Sequence, residues 1–227
     1  MLELAGSKVE EPMSIKENKM NGPHDLHIMV DLETFSNDTR HGVIIAMGAV
    51  AFTMVTPIAS PLSDEYAVST GGNRFFLPIE VAGQKEYGLC TEPETLQWWF
   101  NDDDRSRIVA SYFSSLYVRS IKEVFETFEQ WVQSYNTHPD NTYIWSHGVT
   151  YDCMHLVEKW PTIMGKKFGV CSFRHMRDTR TLFAVYEAKF GSSPYPKELM
   201  EEPMTHHPLY DSYIQAVAVQ VAFNGLL

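Results

Sequence analysis

The sequence predicts an α/β fold in which one mixed β-sheet is covered by helices. Three observations point there. Strand-like segments cluster early in the chain, amphipathic stretches with helix-start signatures fill most of the rest, and one short strand-like segment is inserted among those helices.

Taken in order, residues 1–25 are polar, aperiodic and interrupted by Gly6, Pro12, Gly22 and Pro23. They read as a flexible N-terminal extension ahead of a single domain spanning 26–227. Strands are expected at 27–32, 43–53 and 74–81, and the short links favour antiparallel neighbours. The Pro- and Gly-containing stretch 56–73 reads as a loop. Thr91-Glu92-Pro93-Glu94 has the form of a capping box with Pro in the first turn, opening a helix that carries Trp98 and Trp99. Ser120-Ile121-Lys122-Glu123 repeats the signature ahead of an apolar stripe of Ile121, Val124, Phe125, Phe128, Trp131, Val132 and Tyr135. A strand at 143–146 then runs into Gly148, and helices follow at 151–160 and 179–189. A last helix opens near Pro208 with Tyr210, Ile214, Val217, Ala218 and Val221 on its buried side.

A chain of 227 residues, 44% hydrophobic, is long enough to enclose a substantial core and is not of disordered composition. Cys90, Cys153 and Cys171 form no Cys-x-x-Cys pair, which argues for a reducing compartment and against a disulfide framework. No basic-then-apolar leader opens the chain, so a cytoplasmic location without membrane insertion is expected. The net charge of −11 counts at first against a polyanionic partner. Its distribution does not, because the stretch 159–197 holds Lys159, Lys166, Lys167, Arg174, Arg177, Arg180, Lys189 and Lys197 against only Asp178 and Glu187. Such a local excess suits a nucleic-acid track, although a solvated helical face accounts for it as well.

The chemistry is concentrated in four carboxylates. Asp31 and Glu33 interrupt the apolar run that begins at Ile28. On a strand they project from one face, about 6–7 Å apart at the backbone. Two like charges that close inside an apolar segment call for a cation. Asp152 and Asp211 each fall in the first turn of an expected helix, where simple capping explains either one taken singly. Together the four suit a hard divalent ion such as Mg²⁺ or Mn²⁺, and two such ions form the clamp used for in-line displacement at phosphorus. His206 and His207 precede Asp211 by five and four positions, and an imidazole suits the removal of a proton from water near neutral pH. A zinc site using His24 and His27 lacks partner ligands, and Cys153 has no companion that would make it a nucleophile.

Asp31-Leu32-Glu33-Thr34, Asp152, and His206 with four residues before Asp211 resemble the three motifs of the DEDDh 3′–5′ exonucleases. The stretches Glu94-Thr95-Leu96-Gln97-Trp98-Trp99, Gly148-Val149-Thr150-Tyr151-Asp152 and Arg177-Asp178-Thr179-Arg180-Thr181 are similar to the tailed-phage exodeoxyribonuclease A and its relatives in the Rv-type 3′–5′ exoribonuclease-like group. The resemblance covers roughly 27–224. It implies an RNase H-like (DnaQ-like) fold, with three antiparallel strands followed by parallel ones. It also implies metal binding by Asp31, Glu33, Asp152 and Asp211, with two Mg²⁺ or Mn²⁺ ions and His206 as general base. Thr34 and Phe35 would contact the 3′-terminal nucleotide, and Arg177 and Arg180 its phosphates. The implied reaction is release of nucleoside 5′-monophosphates from single-stranded DNA, with RNA as the alternative substrate. A non-catalytic nucleic-acid-binding module is the rival class. Two departures stand out: Phe35-Ser36-Asn37 follows the first motif in place of a Thr-Gly turn, and Pro208 lies two residues after His206. His207 occupies the four-residue spacing of the tyrosine branch of the superfamily.

Overall fold

The computed structural model describes residues 25–59, 70–135, 138–200 and 206–227. The chain begins its sheet with β1 (Leu26–Thr34), an apolar run broken by His27, Asp31, Glu33 and Thr34. It pairs antiparallel with β2 (Ile44–Phe52), which pairs antiparallel with β3 (Arg74–Pro78). On its other edge β1 pairs parallel with β4 (Thr142–Ser146), and β4 with β5 (Met176–Asp178). The five-stranded order is β3-β2-β1-β4-β5, the RNase H-like arrangement of three antiparallel strands followed by parallel ones. β2 is buried at every position, so both faces of the sheet are covered.

The helices are α1 (Pro93–Phe100), α2 (Asp103–Ser114), α3 (Ile121–Gln133), α4 (Asp152–Met164), α5 (Thr179–Phe190), α6 (Lys197–Met200) and α7 (Pro208–Leu226). α7 lies along β1 and β2 with α5 against it, and α3 packs on α4 and β3. Phe125 of α3 stacks on Trp160 of α4 at 4.7 Å between ring centroids, fixing that helix pair. No described helix is long and apolar enough to cross a membrane.

Several expectations needed correction. The helix carrying the tryptophans starts at Pro93 with Glu92 as its N-cap, not Thr91. Glu92 makes no capping bond and instead accepts the Asn37 amide at 2.7 Å. The second box is present as expected, with Ser120 and Glu123 satisfying one another's backbone donors. On α7 the buried side includes Ala216, Val219 and Ala222, whereas Val217 is half-buried and Val221 is 39% exposed. The reason is that α7 is apolar nearly all round and is enclosed by two neighbours, so no single stripe marks its core face. α2 and β5 were not anticipated. The former starts on an acidic cap, Asp102, which accepts the amides of Asp104 and Arg105, and the latter is only three residues long. The expected extension at 1–25, apart from Asp25, and residues 60–69 of the expected loop lie outside the described residues.

Candidate active site

The fold brings the four carboxylates to the end of β1. β1 pairs with β4 only as far as Met29, and among the described residues the β1 edge beyond it has no strand partner on that side. The first turn of α4 fills the gap: Asp152 Oδ1 accepts the amide of Leu32 at 3.2 Å. The turn into α4 uses Gly148 at φ 112°, and a Cβ there would meet the Arg180 guanidinium at 3.2 Å. Asp178 holds this corner together. Its carboxylate accepts the Val149 amide at 2.9 Å and the Arg180 amide at 2.8 Å, the latter as a cap for α5.

Asp211 arrives from the opposite side. α7 reaches the sheet because residue 48, directly across from Asp31, is glycine; a Cβ there would lie 2.1 Å from the Pro208 carbonyl carbon. One turn further along α7, Gln215 Nε2 donates to Asp31 Oδ1 at 3.2 Å. A β-bulge between Glu33 and Thr34 shifts the register at the end of the strand.

His206 has φ 70°, a conformation uncommon outside glycine. Two bonds hold it: Asp211 Oδ2 accepts the His206 amide at 2.9 Å, and Tyr112 donates its hydroxyl to the His206 carbonyl at 2.8 Å. Its ring meets Trp98 edge-on at 5.0 Å, and ligand atoms of Glu33, His206 and Asp211 all lie within 4.8 Å of one another. His207 turns the other way. It is 1% exposed, packs against Phe76 at 4.4 Å, and burial pulls its pKa down to about 4.

Electrostatics make the cluster a candidate cation site. Burial raises Asp31 to about 7 and pushes Glu33, Asp152 and Asp211 well above the usual carboxylate range, and the charge of Asp31 adds to the rise in each of those three. Oxygen donors that repel one another to this degree fit one or more hard divalent ions, which would relieve the repulsion. Burial also lowers His206, with Arg105 adding to the effect, so its imidazole is neutral near pH 7.

A cleft of about 610 Å³ opens beside the carboxylates, lined among others by Glu33, Thr34, Asn37, Trp98, Tyr151 and Arg180. Trp98 is 42% exposed with the Arg105 guanidinium 4.2 Å above its ring, while Trp99 is buried and donates to the Thr34 carbonyl. Of the residues the resemblance assigns to substrate, Thr34 and Arg180 line this cleft, and Phe35 and Arg177 do not. Phe35 is 4% exposed and packs on Phe100 and Phe113; Arg177 lies over Tyr143 and donates to the Arg174 and Met176 carbonyls. Nor is the basic stretch a continuous track. Lys159 is buried, Lys166 pairs with Glu129, and Lys189 bonds carbonyls at the end of α7. His27 is a core residue bonded by Trp145, and Cys153 is buried with its thiol pushed up to about 12, mainly by desolvation. Sequence reasoning missed Gln215, Asn37 and Tyr151; Gln215, a polar residue one turn after Asp211 on an apolar helix, carried the clearest signal.

Comparison with known proteins agrees with this fold. The profile of the 3′-5′ exoribonuclease Rv2179c-like domain matches residues 26–223. No curated protein matches the sequence. Among solved structures, exonuclease I from Methylocaldum szegediense is similar with a TM-score of 0.55 at 13% identity, over 88% of this chain and 40% of that one. The zinc-bound E. coli ExoI–ssDNA complex gives 0.54 at 13% identity, over 88% and 41%. At these identities the likeness concerns the fold, and this chain spans about two fifths of the length of those proteins. The chain belongs to the 3′-5′ exoribonuclease Rv2179c-like domain family.

Proposed function

We propose that this chain hydrolyses single-stranded nucleic acid from the 3′ end, DNA in preference to RNA, releasing nucleoside 5′-monophosphates. The observation that carries the reading is the meeting of Asp31, Glu33, Asp152, Asp211 and His206 at one end of a cleft walled by Trp98 and Arg180. The four carboxylates would hold two Mg²⁺ or Mn²⁺ ions, which when bound acidify water and stabilise charge on the phosphate.

The protein groups account for the remainder. Neutral His206 accepts the proton of the attacking water, which bonds to the phosphorus of the last phosphodiester. The bond from that phosphorus to the 3′ oxygen of the preceding nucleotide breaks. The 3′ oxygen takes up a proton, and the terminal nucleotide leaves as its 5′-monophosphate. Trp98 offers the terminal base a flat face held by Arg105, and stacking of this kind tolerates any base. Arg180 at the mouth of α5 supplies a fixed positive charge for a phosphate.

RNA is the second reading, favoured by the family's description as an exoribonuclease. Single-stranded DNA and RNA of one sequence, 5′-labelled and incubated side by side with Mg²⁺, Mn²⁺ or chelator, test both. Faster metal-dependent shortening of DNA supports the proposal, faster loss of RNA transfers it to the second reading, and no metal-dependent hydrolysis of either refutes the exonuclease reading.

A further inference from the structure

α4 carries a polar column through a part of the molecule where apolar side chains would pack better. Tyr151, at its N-cap, and His155 and Lys159 within it follow at four-residue spacing and so share one side of the helix. His155 is fully buried and Lys159 is 2% exposed. The ammonium of Lys159 donates to the Thr39 carbonyl at 2.5 Å and to His155 Nδ1 at 2.8 Å. The His155 ring meets Tyr151 edge-on at 4.8 Å between centroids, and the Tyr151 hydroxyl lies 2.7 Å from Thr34 Oγ1 and 3.3 Å from the Ser36 carbonyl. One side of α4 thus grips the chain at 34, 36 and 39. Asn37, which lines the cleft, stands between the second and third grips.

Lys159 is the costly member of this column. Burial pulls it down to about 8, and among the described residues no carboxylate lies within ion-pair distance of it. A buried ammonium so placed stabilises the fold less than a methionine of similar shape would. The turn is also held from within, where the Asp38 carboxylate accepts the Arg40 and His41 amides, and at Asn37 by Glu92; Lys159 adds the tie between Thr39 and α4. A cavity of about 320 Å³, lined among others by Arg40, His41 and Lys159, lies beside the turn, and the Arg40–Glu158 pair is largely exposed on the arginine side.

We propose that Lys159 is a positioning residue: by holding the Thr39 carbonyl it fixes the 36–41 turn, keeps Asn37 against the cleft, and thereby sets substrate affinity without touching substrate. The effect on affinity rests on the exonuclease reading above; the brace itself does not.

Lys159→Met tests it. The variant folds with a melting temperature equal to or above that of the wild type. Its KM for a single-stranded oligonucleotide rises about 10-fold while kcat stays within about two-fold, as expected when only positioning is lost. Backbone amides of 37–42 exchange with solvent about 10-fold faster than in the wild type, since the turn opens locally. In an Asn37→Ala background the substitution adds nothing further to KM. An unchanged KM, a fall in kcat together with the melting temperature, additivity with Asn37→Ala, or failure to fold overturns the proposal, the last because it makes Lys159 part of the framework. Exchange needs no turnover, so unchanged exchange in Lys159→Met defeats the brace, whereas absence of metal-dependent hydrolysis by the wild type defeats the exonuclease reading.

Discussion

A Cβ on Gly48 would lie 2.1 Å from the carbonyl carbon of Pro208. The first turn of α7 therefore rests directly on β2, where Ser212 Oγ also donates to the Gly48 carbonyl at 3.2 Å. Because Gly48 faces Asp31 across the sheet, this contact sets the separation between the carboxylates of β1 and that of Asp211.

Gly48→Ala is accordingly expected to push α7 off the sheet. The cost is about 1–3 kcal/mol of stability from overpacking, with a loss of activity of about 100-fold or more as Asp211 and His206 shift. Denaturant melts and initial rates on a labelled oligonucleotide measure the two effects; wild-type activity in the variant would mean that the close approach is not needed.

The two histidines should separate cleanly. His206→Ala loses about 10²–10⁴-fold in kcat with the fold intact, as for removal of a general base. His207→Ala opens a hole beside Phe76 and Tyr112 and costs about 2–4 kcal/mol of stability, while the folded fraction keeps its activity. An active His206→Ala beside a folded but inactive His207→Ala would reverse the assignment.

Much of this was legible in the sequence for a simple reason: periodicity and capping are local. The β1 run with its two acids, the Ser120 box and the Pro208 helix start need only neighbouring residues to be recognised. α2 escaped because its first turn is polar and acidic and its buried residues are few, Ile108, Val109 and Tyr112. β5 escaped because it is three half-buried residues whose strand character comes from pairing with β4. Within the site, composition could not say which of Trp98 and Trp99 faces solvent, that Phe35 turns inward, or that a buried lysine of the basic stretch bonds a loop. Those are long-range contacts. The positive φ of His206 is likewise set by Asp211 and Tyr112, and not by any residue preference.

Trp98→Ala should raise KM for single-stranded substrate by about 10-fold, the loss of one base–aromatic stack, and Trp98→Phe by less. Phe35→Ala, in contrast, should lower the melting temperature, because its ring is a core contact of Phe100 and Phe113. Equal effects of Trp98→Ala and Trp98→Phe on KM would argue against a stacking role.

The carboxylates also predict a pH dependence of the metal-free fold. Asp31 titrates at about 7 when folded against an ordinary value of 3.8, and Glu33, Asp152 and Asp211 are displaced in the same direction. Groups raised in this way contribute stability that is fully present below about pH 4 and is lost as pH rises through the folded values. In chelator, the melting temperature should therefore fall by about 4 °C or more between pH 5 and pH 8, the equivalent of one to two kcal/mol. Mg²⁺ or Mn²⁺ should restore it at pH 8, and Asp31→Asn should flatten the profile. A chelated melting temperature independent of pH over this window would show that the acids do not strain the fold.

The most direct test of the account is a single-turnover digest of a 5′-labelled single-stranded oligonucleotide by the wild type and by Asp152→Asn, with Mg²⁺ or Mn²⁺. The wild type should yield a ladder shortened one nucleotide at a time from the 3′ end, with nucleoside 5′-monophosphates as the product, and the folded variant should be slower by about 10³-fold or more. Internal cuts by the wild type, or an undiminished ladder from Asp152→Asn, would contradict it.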